Sequence, residues 1–126
     1  MDAQRELYKV VVDTSHKYTN VYASDYIGPG NAHHYYDIVH KEEGKPDKFL
    51  ATLRFQDGPI KEAGINGVMD ENLIAIVIDR LQGFQTGDFK SRYNAIAIPK
   101  LEEALMWLQK RTRDREARGV EGTYKV

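Results

Sequence analysis

The sequence predicts an α+β fold: a small N-terminal antiparallel β-sheet followed by a C-terminal helical hairpin. Three observations carry this. Over the first 69 positions, short β-branched and aromatic runs alternate with turn residues. From Asp70 onward the apolar period becomes helical, with Leu73, Ile76, Val77, Arg80, Leu81 and Phe84 on one stripe. A second apolar run, Ile98, Leu101, Ala104, Leu105 and Leu108 with Trp107 beside it, follows Gly83 and Gly87. The expected organisation is a β-rich region over 1–69 and a hairpin with a short tail over 70–126. A chain of 126 residues has room for one modest core, so one compact unit is expected.

Each element has its own reason. Tyr8-Lys9-Val10-Val11-Val12 is short and β-branched and reads as a strand. Residues 13–34 are polar and broken by Gly28-Pro29-Gly30, a turn signal. Residues 35–41 form a second strand candidate, and residues 42–47 a hairpin loop. The clearest strand is 49–56, where Phe49, Ala51, Leu53 and Phe55 alternate with Thr52, Arg54 and Gln56. Gly64-Ile65-Asn66-Gly67-Val68 holds an Asn-Gly pair and is expected as a turn or a short extra strand. Six of the eight tyrosines lie in the first 36 residues, which suits half-buried strands.

In the hairpin, Asp70 is placed to cap the first helix, and Gly83 and Gly87 to reverse the chain through positive φ angles. Pro99 leaves two readings of the second helix: it starts there, or it starts near Ser91 and kinks at the proline. Ile74 and Ile78 widen the apolar surface of the first helix beyond its stripe. A chain this small rarely exposes so much apolar area, so self-association is expected, in a closed symmetric form.

Composition limits the function classes. The formal charge is −1, so no overall field draws nucleic acid or membrane surfaces, and an anion site needs local placement. Without cysteine there are no disulfides and no thiolate metal sites. No apolar run is long enough to span a bilayer, and the first six residues are too polar for a secretory signal. A soluble intracellular protein is expected. No cofactor is implied.

The residues that carry chemistry lie in the hairpin. Lys110, Arg111, Arg113, Arg115 and Arg118 face only Asp114 and Glu116 in the segment 109–118. Arg111 and Arg115 are four apart and share a face, so two planar guanidiniums can grip a diphosphate; alternatively these cations simply complement a helix C-terminus. Phe84 at the turn offers a ring for base stacking, or an ordinary contact that ends the helix. Asn94 offers a donor and an acceptor to a base edge, or serves as an N-cap. His33, His34 and His40 lack a convergent further ligand for a metal, and Glu102 and Glu103 are adjacent rather than facing. No nucleophile elbow, phosphate-binding loop or zinc motif occurs. The catalytic and metal residue sets are therefore expected to be empty.

The runs 55–68, 73–85 and 101–108, with Arg111-Thr112-Arg113-Asp114-Arg115 and Gly119, resemble the first type of Thoeris anti-defence protein of phages and prophages. Its hairpin is similar to that of an anti-CBASS sponge. The resemblance covers about the C-terminal half of the chain. It implies a non-enzymatic homohexamer that sequesters glycocyclic ADP-ribose, takes cyclic dinucleotides in the same pockets and cyclic trinucleotides at separate sites, and acts in the cytoplasm of the infected bacterial host. It further implies a pocket between protomers, with Phe84 stacking on the base, Asn94 at the base, and Arg111 and Arg115 on the diphosphate. Pro99 departs from the family pattern and bears on the straightness of the second helix.

Three other classes compete. A phosphodiesterase for the same messenger would need a catalytic pair that the residues do not supply. A nucleic-acid-binding module could use the arginine tip, but the balanced net charge argues against it. A protein-interaction adaptor would use the apolar helix face and leave the arginines incidental.

Overall fold

The computed structural model describes residues 8–9 and 17–126. Its elements are β1 (Tyr8–Lys9), β2 (Asn20–Ala23), β3 (Tyr35–His40), β4 (Lys48–Arg54), α1 (Ile60–Ala63), α2 (Asp70–Gln85) and α3 (Arg92–Ala117). The chain divides into two compact units. One holds the residues up to Gly58 together with Ala63–Gly67, and the other holds Pro59–Glu62 with Val68–Val126.

The first unit is an antiparallel sheet in the order β1-β2-β3-β4. The expected strand over 8–12 is seen at Tyr8–Lys9, and Val10–Val12 lie outside the described residues. Strand β2 falls inside the 13–34 stretch that polarity marks as broken. It pairs fully with β3, Asn20 against Val39 through Ala23 against Tyr36, so neighbouring backbone and not its own apolar pattern holds it.

Strand β4 departs from simple alternation. Ala51 pairs with Ile38 but Phe49 pairs with Val39, and the extra residue forms a bulge. Ile38 and Val39 point to opposite faces, so Phe49 and Ala51 do as well. The expected alternation holds only from Ala51 onward, and Phe49 and Leu50 are exposed. In the hairpin loop before β4, Lys45 and then His40 hold the Glu42 carboxyl below the usual carboxylate range.

The centre of the sheet is small. Val39 and Asp37 are fully buried, and Asp37 Oδ1 accepts the Thr52 hydroxyl at 2.9 Å. On the face of Tyr36, its ring meets Phe55 edge-on at 5.6 Å. Each described histidine donates to a backbone carbonyl: Nδ1 of His33 to Asp25, Nε2 of His34 to Pro29 and Nδ1 of His40 to Tyr18.

The segment 56–67 is a built loop. Gln56 donates to the Gly58 and Gly64 carbonyls and accepts the Asn66 N–H. Asn66 accepts the Asp57 N–H and donates to its carbonyl, both at 2.8 Å. These amides stand in for ladder bonds and bring Gly67 against the backbone of Arg54 and Phe55. Asp57-Gly58-Pro59 ends the strand segment and is followed by the short helix α1.

The second unit is the helical hairpin, in which α2 and α3 pack together. Asp70 is inside the first turn of α2 and not its cap. Met69 is the N-cap residue, and the Asn72 side chain accepts its N–H at 2.9 Å. Asp70 and Glu71 complement the dipole from within the turn. The buried stripe also differs from the expected one. Ile78 is the buried residue, with Leu73, Ile74 and Leu81 half-buried, whereas Ile76 and Val77 are 62% and 44% exposed. The stripe therefore turns around Ile78, and the surplus apolar surface is the Ile76–Val77 side.

Helix α3 begins at the Ser91 cap and runs without a break through Pro99 to Ala117. Of the two expected starts, the one near Ser91 is adopted, and at Pro99 the helix forgoes the hydrogen bond to the Ala95 carbonyl. It ends at Gly119, whose φ of 74° is left-handed, with Val120 N–H donating back to the Arg115 carbonyl. No described helix is long and apolar enough to cross a membrane.

Candidate ligand-binding site in the helical hairpin

The turn end of the hairpin carries Phe84 and Asn94. Phe84 is in the last turn of α2, half-buried, with the Arg80 guanidinium 5.0 Å from its ring centroid. Arg80 is one turn earlier on the same face, and a cation over an aromatic face is attracted by the ring quadrupole. Arg80 is a site neighbour that the apolar pattern counted only as a stripe position; its four-residue spacing to Phe84 was the available signal.

The chain does not reverse here through glycine conformation. Gly83 lies within α2, and neither Gly83 nor Gly87 adopts a positive φ. Thr86 closes α2 instead, its N–H and its hydroxyl both donating to the Gly83 carbonyl. Ser91 then caps α3, its Oγ accepting the Asn94 N–H at 3.1 Å. Asn94 is therefore the third helical residue and not the cap, which leaves its side-chain amide available for another partner.

The other end carries the cations. Lys110 pairs with Asp114, Arg113 Nε donates to the Gln109 carbonyl, and Arg118 donates to the Val126 carbonyl. Arg115 holds the tail: Nη2 donates to the carbonyls of Val120 at 3.0 Å and Thr123 at 3.2 Å, and Nε lies 3.5 Å from Glu121. Gly122 at the same place packs on Lys61, whose N–H donates to its carbonyl. Among the described residues, Arg111 alone in this basic segment makes no hydrogen bond or ion pair through its side chain. Its guanidinium is exposed and ready for an anion.

Arg113 lies on another side of the helix. It lines an open cleft of about 580 Å³ with Met69, Glu71, Asn72, Gln109 and Thr112. Among the described residues no group of three or more His, Asp or Glu side chains could hold a metal ion.

Arg111 and Arg115 are thus different in kind. Arg115→Ala should destabilise the hairpin by about 1.5–3 kcal/mol, because two tail carbonyls lose a charged donor. Arg111→Ala should stay within about 0.5 kcal/mol of the parent. Urea unfolding of the two variants checks this, and equal stabilities would refute it.

The two ends do not meet within one chain. Asn94 and Arg111 are separated by 17 positions of α3, about 25 Å of helix. One hairpin therefore offers an aromatic and amide end and, far from it, a guanidinium end.

The family model for the Acb2/Tad1 hairpin domain matches residues 51–113, half of the sequence. The chain belongs to the Acb2/Tad1 hairpin family. A curated protein of Bacillus phage SBSphiJ7, "Thoeris anti-defense 1", is 67% identical to it over 75 residues. That match covers 60% of this chain and 53% of the relative, so it spans about half the length of that protein. The Acb2/Tad1 match takes in β4 from Ala51 onward, the amide-clamped loop, α2 and α3 as far as Arg113, including Phe84, Asn94 and Arg111 and stopping short of Arg115.

Proposed function

We propose that this Acb2/Tad1 hairpin protein acts in anti-defence as a non-catalytic sponge. It binds and holds cyclic nucleotide immune messengers, glycocyclic ADP-ribose first and cyclic di- and trinucleotides besides, in the cytoplasm of an infected bacterium. The family match and the name of the phage relative support the anti-defence role.

The observation that carries the site is the distance along α3. A nucleotide messenger cannot touch Asn94 and Arg111 of one hairpin. The site is therefore built from two copies, with Phe84 and Asn94 of one protomer facing Arg111 and Arg115 of its partner. An antiparallel two-fold pairing produces two such sites at once, and three pairs make the homohexamer. The exposed apolar residues Ile76, Val77, Ile96, Met106 and Trp107 supply the surface for assembly.

In this arrangement the base stacks on Phe84, with Arg80 alongside, while the Asn94 amide reads its edge. Arg111 meets the diphosphate with a free planar fork. Arg115, already oriented by the tail carbonyls, adds the donors its tail does not use. A messenger of about 35 heavy atoms at ~0.3 kcal/mol each can reach roughly −10 kcal/mol, which corresponds to a dissociation constant of some tens of nanomolar.

Holding the ligand and cleaving it are separated by one experiment. Glycocyclic ADP-ribose incubated with the protein and released by heat should be recovered chemically unchanged by chromatography. A linear or hydrolysed product would replace the sponge with the phosphodiesterase.

A further inference from the structure

One side chain holds the reversal between α2 and α3. Gln85, the last residue of α2, sets its amide against both backbone groups of Ser91. Nε2 donates to the Ser91 carbonyl at 3.1 Å, and Oε1 accepts the Ser91 N–H at 2.9 Å. The amide imitates a pair of ladder bonds across the exposed loop 86–90. The loop's own backbone bonds are local: Thr86 to Gly83, Gly87 to Phe84, and Lys90 to Gly87. Among these, none reaches from α2 across to Ser91.

The clamp lies between the two turn-end contacts. Phe84 directly precedes Gln85. Ser91, held by Gln85, caps α3 by accepting the Asn94 N–H. We infer that Gln85 is a positioning residue of the ligand site, setting the Phe84 ring and the Asn94 amide at one separation while touching no ligand itself. This rests on the sponge reading above. Two contacts on different helices bind best when their spacing is set beforehand, because the ligand then does not have to order them.

The requirement is chemical as well as steric. Position 85 needs an acceptor and a donor on one planar group at the reach of glutamine. Methionine matches its length with neither. A glutamate carboxylate keeps the acceptor but turns a bare oxygen toward the Ser91 carbonyl. When protonated, the same carboxyl regains a donor and restores both bonds.

The test is calorimetric titration of glycocyclic ADP-ribose into the parent protein, Gln85→Met, Gln85→Glu and Arg111→Ala, from about pH 7.5 to about pH 4.5, which spans the range where a glutamate in contact with a carbonyl takes up its proton. Light scattering and circular dichroism at each pH restrict the comparison to assembled, helical protein. Gln85→Met should lose about tenfold in affinity at every pH relative to the parent. Gln85→Glu should lose at least as much at the upper pH and recover toward the parent as pH falls. That recovery distinguishes the clamp from a general loss of stability.

If Gln85→Met binds like the parent while Arg111→Ala loses affinity, the inference is overturned and the sponge reading stands. If the parent gives no heat with glycocyclic ADP-ribose, both fall. Should Gln85→Met fail to assemble, Gln85→Glu decides alone: recovery at low pH supports the clamp, and affinity that ignores pH overturns it.

Discussion

Arg111→Ala is expected to lose ten- to a hundredfold in affinity for glycocyclic ADP-ribose, about 1.5–3 kcal/mol, with the oligomer intact. The side chain is exposed and bonds to nothing else in the described chain, so its removal should leave the fold alone. Lysine should restore only part of the loss, because an ammonium cannot make the bidentate contact. Phe84→Ala should also weaken binding, but with less dependence on salt, since stacking is not a charge interaction. Mixing gives the sharper result. When Phe84→Ala and Arg111→Ala chains are unfolded together and reassembled in equal amounts, half of the two-fold pairs carry one of each. Each mixed pair then holds one fully native site and one doubly altered site. About a quarter of the parental binding capacity should return at parental affinity. Calorimetric stoichiometry of the reassembled mixture measures it. No recovery would mean that the two ends do not form one site between copies. Arg113→Ala is the control, because its side chain lines the α2–α3 cleft. A loss there equal to that at Arg111 would indicate diffuse attraction.

Gly67→Ala should be the most damaging small substitution in the β unit. A Cβ at position 67 would stand 2.5 Å from the carbonyl carbon and oxygen of Phe55 and 2.6 Å from the Arg54 oxygen. These are backbone atoms at the end of β4, and they cannot rotate away as a side chain would. The Gln56 and Asn66 amides hold the loop from the other side, so relief requires breaking that bonded network. Overpacking of this sort costs about 1–3 kcal/mol, and the upper end is expected here. Chemical unfolding followed by the far-ultraviolet signal would register the loss. By contrast, Gly83→Ala lies in helical backbone with open space around its Cβ, and it should stabilise α2 by up to about 1 kcal/mol. Equal stability for the two variants would refute both expectations.

The parts of the fold that were legible in the sequence depend on period and local chemistry. The α+β order, strands β3 and β4, and a hairpin with an aromatic turn and a basic end all follow from which residues recur and where turn residues interrupt them. Pattern failed where a partner supplies the stabilisation. Strand β2 has no apolar alternation of its own and exists because β3 pairs along it. The bulge at Leu50 reverses one residue's facing, which no single-strand pattern can register. Ile76 and Ile78 are both good stripe residues, and only the position of α3 decides which of them is covered. Gly83 and Gly87 advertise a turn, yet Thr86 and the Gln85 amide make it.

For the candidate site, the sequence by itself determined the chemical types present: a ring at Phe84, an amide at Asn94, and guanidiniums at 111 and 115 on one helix face. Helical spacing is a local property, so four-residue neighbours are legible without a fold. Tertiary structure decided what each group is free to do. Arg115 is spoken for by the tail, which folds back past the left-handed Gly119 at the end of α3. Arg111 is left open, and Ser91 takes over the capping role and frees the Asn94 side chain. The passage of α3 through Pro99 matters most. A helix starting at Pro99 would leave Asn94 in a loop able to bend toward the arginines. One continuous helix holds it about 25 Å away, because each of the 17 intervening steps advances about 1.5 Å along the axis.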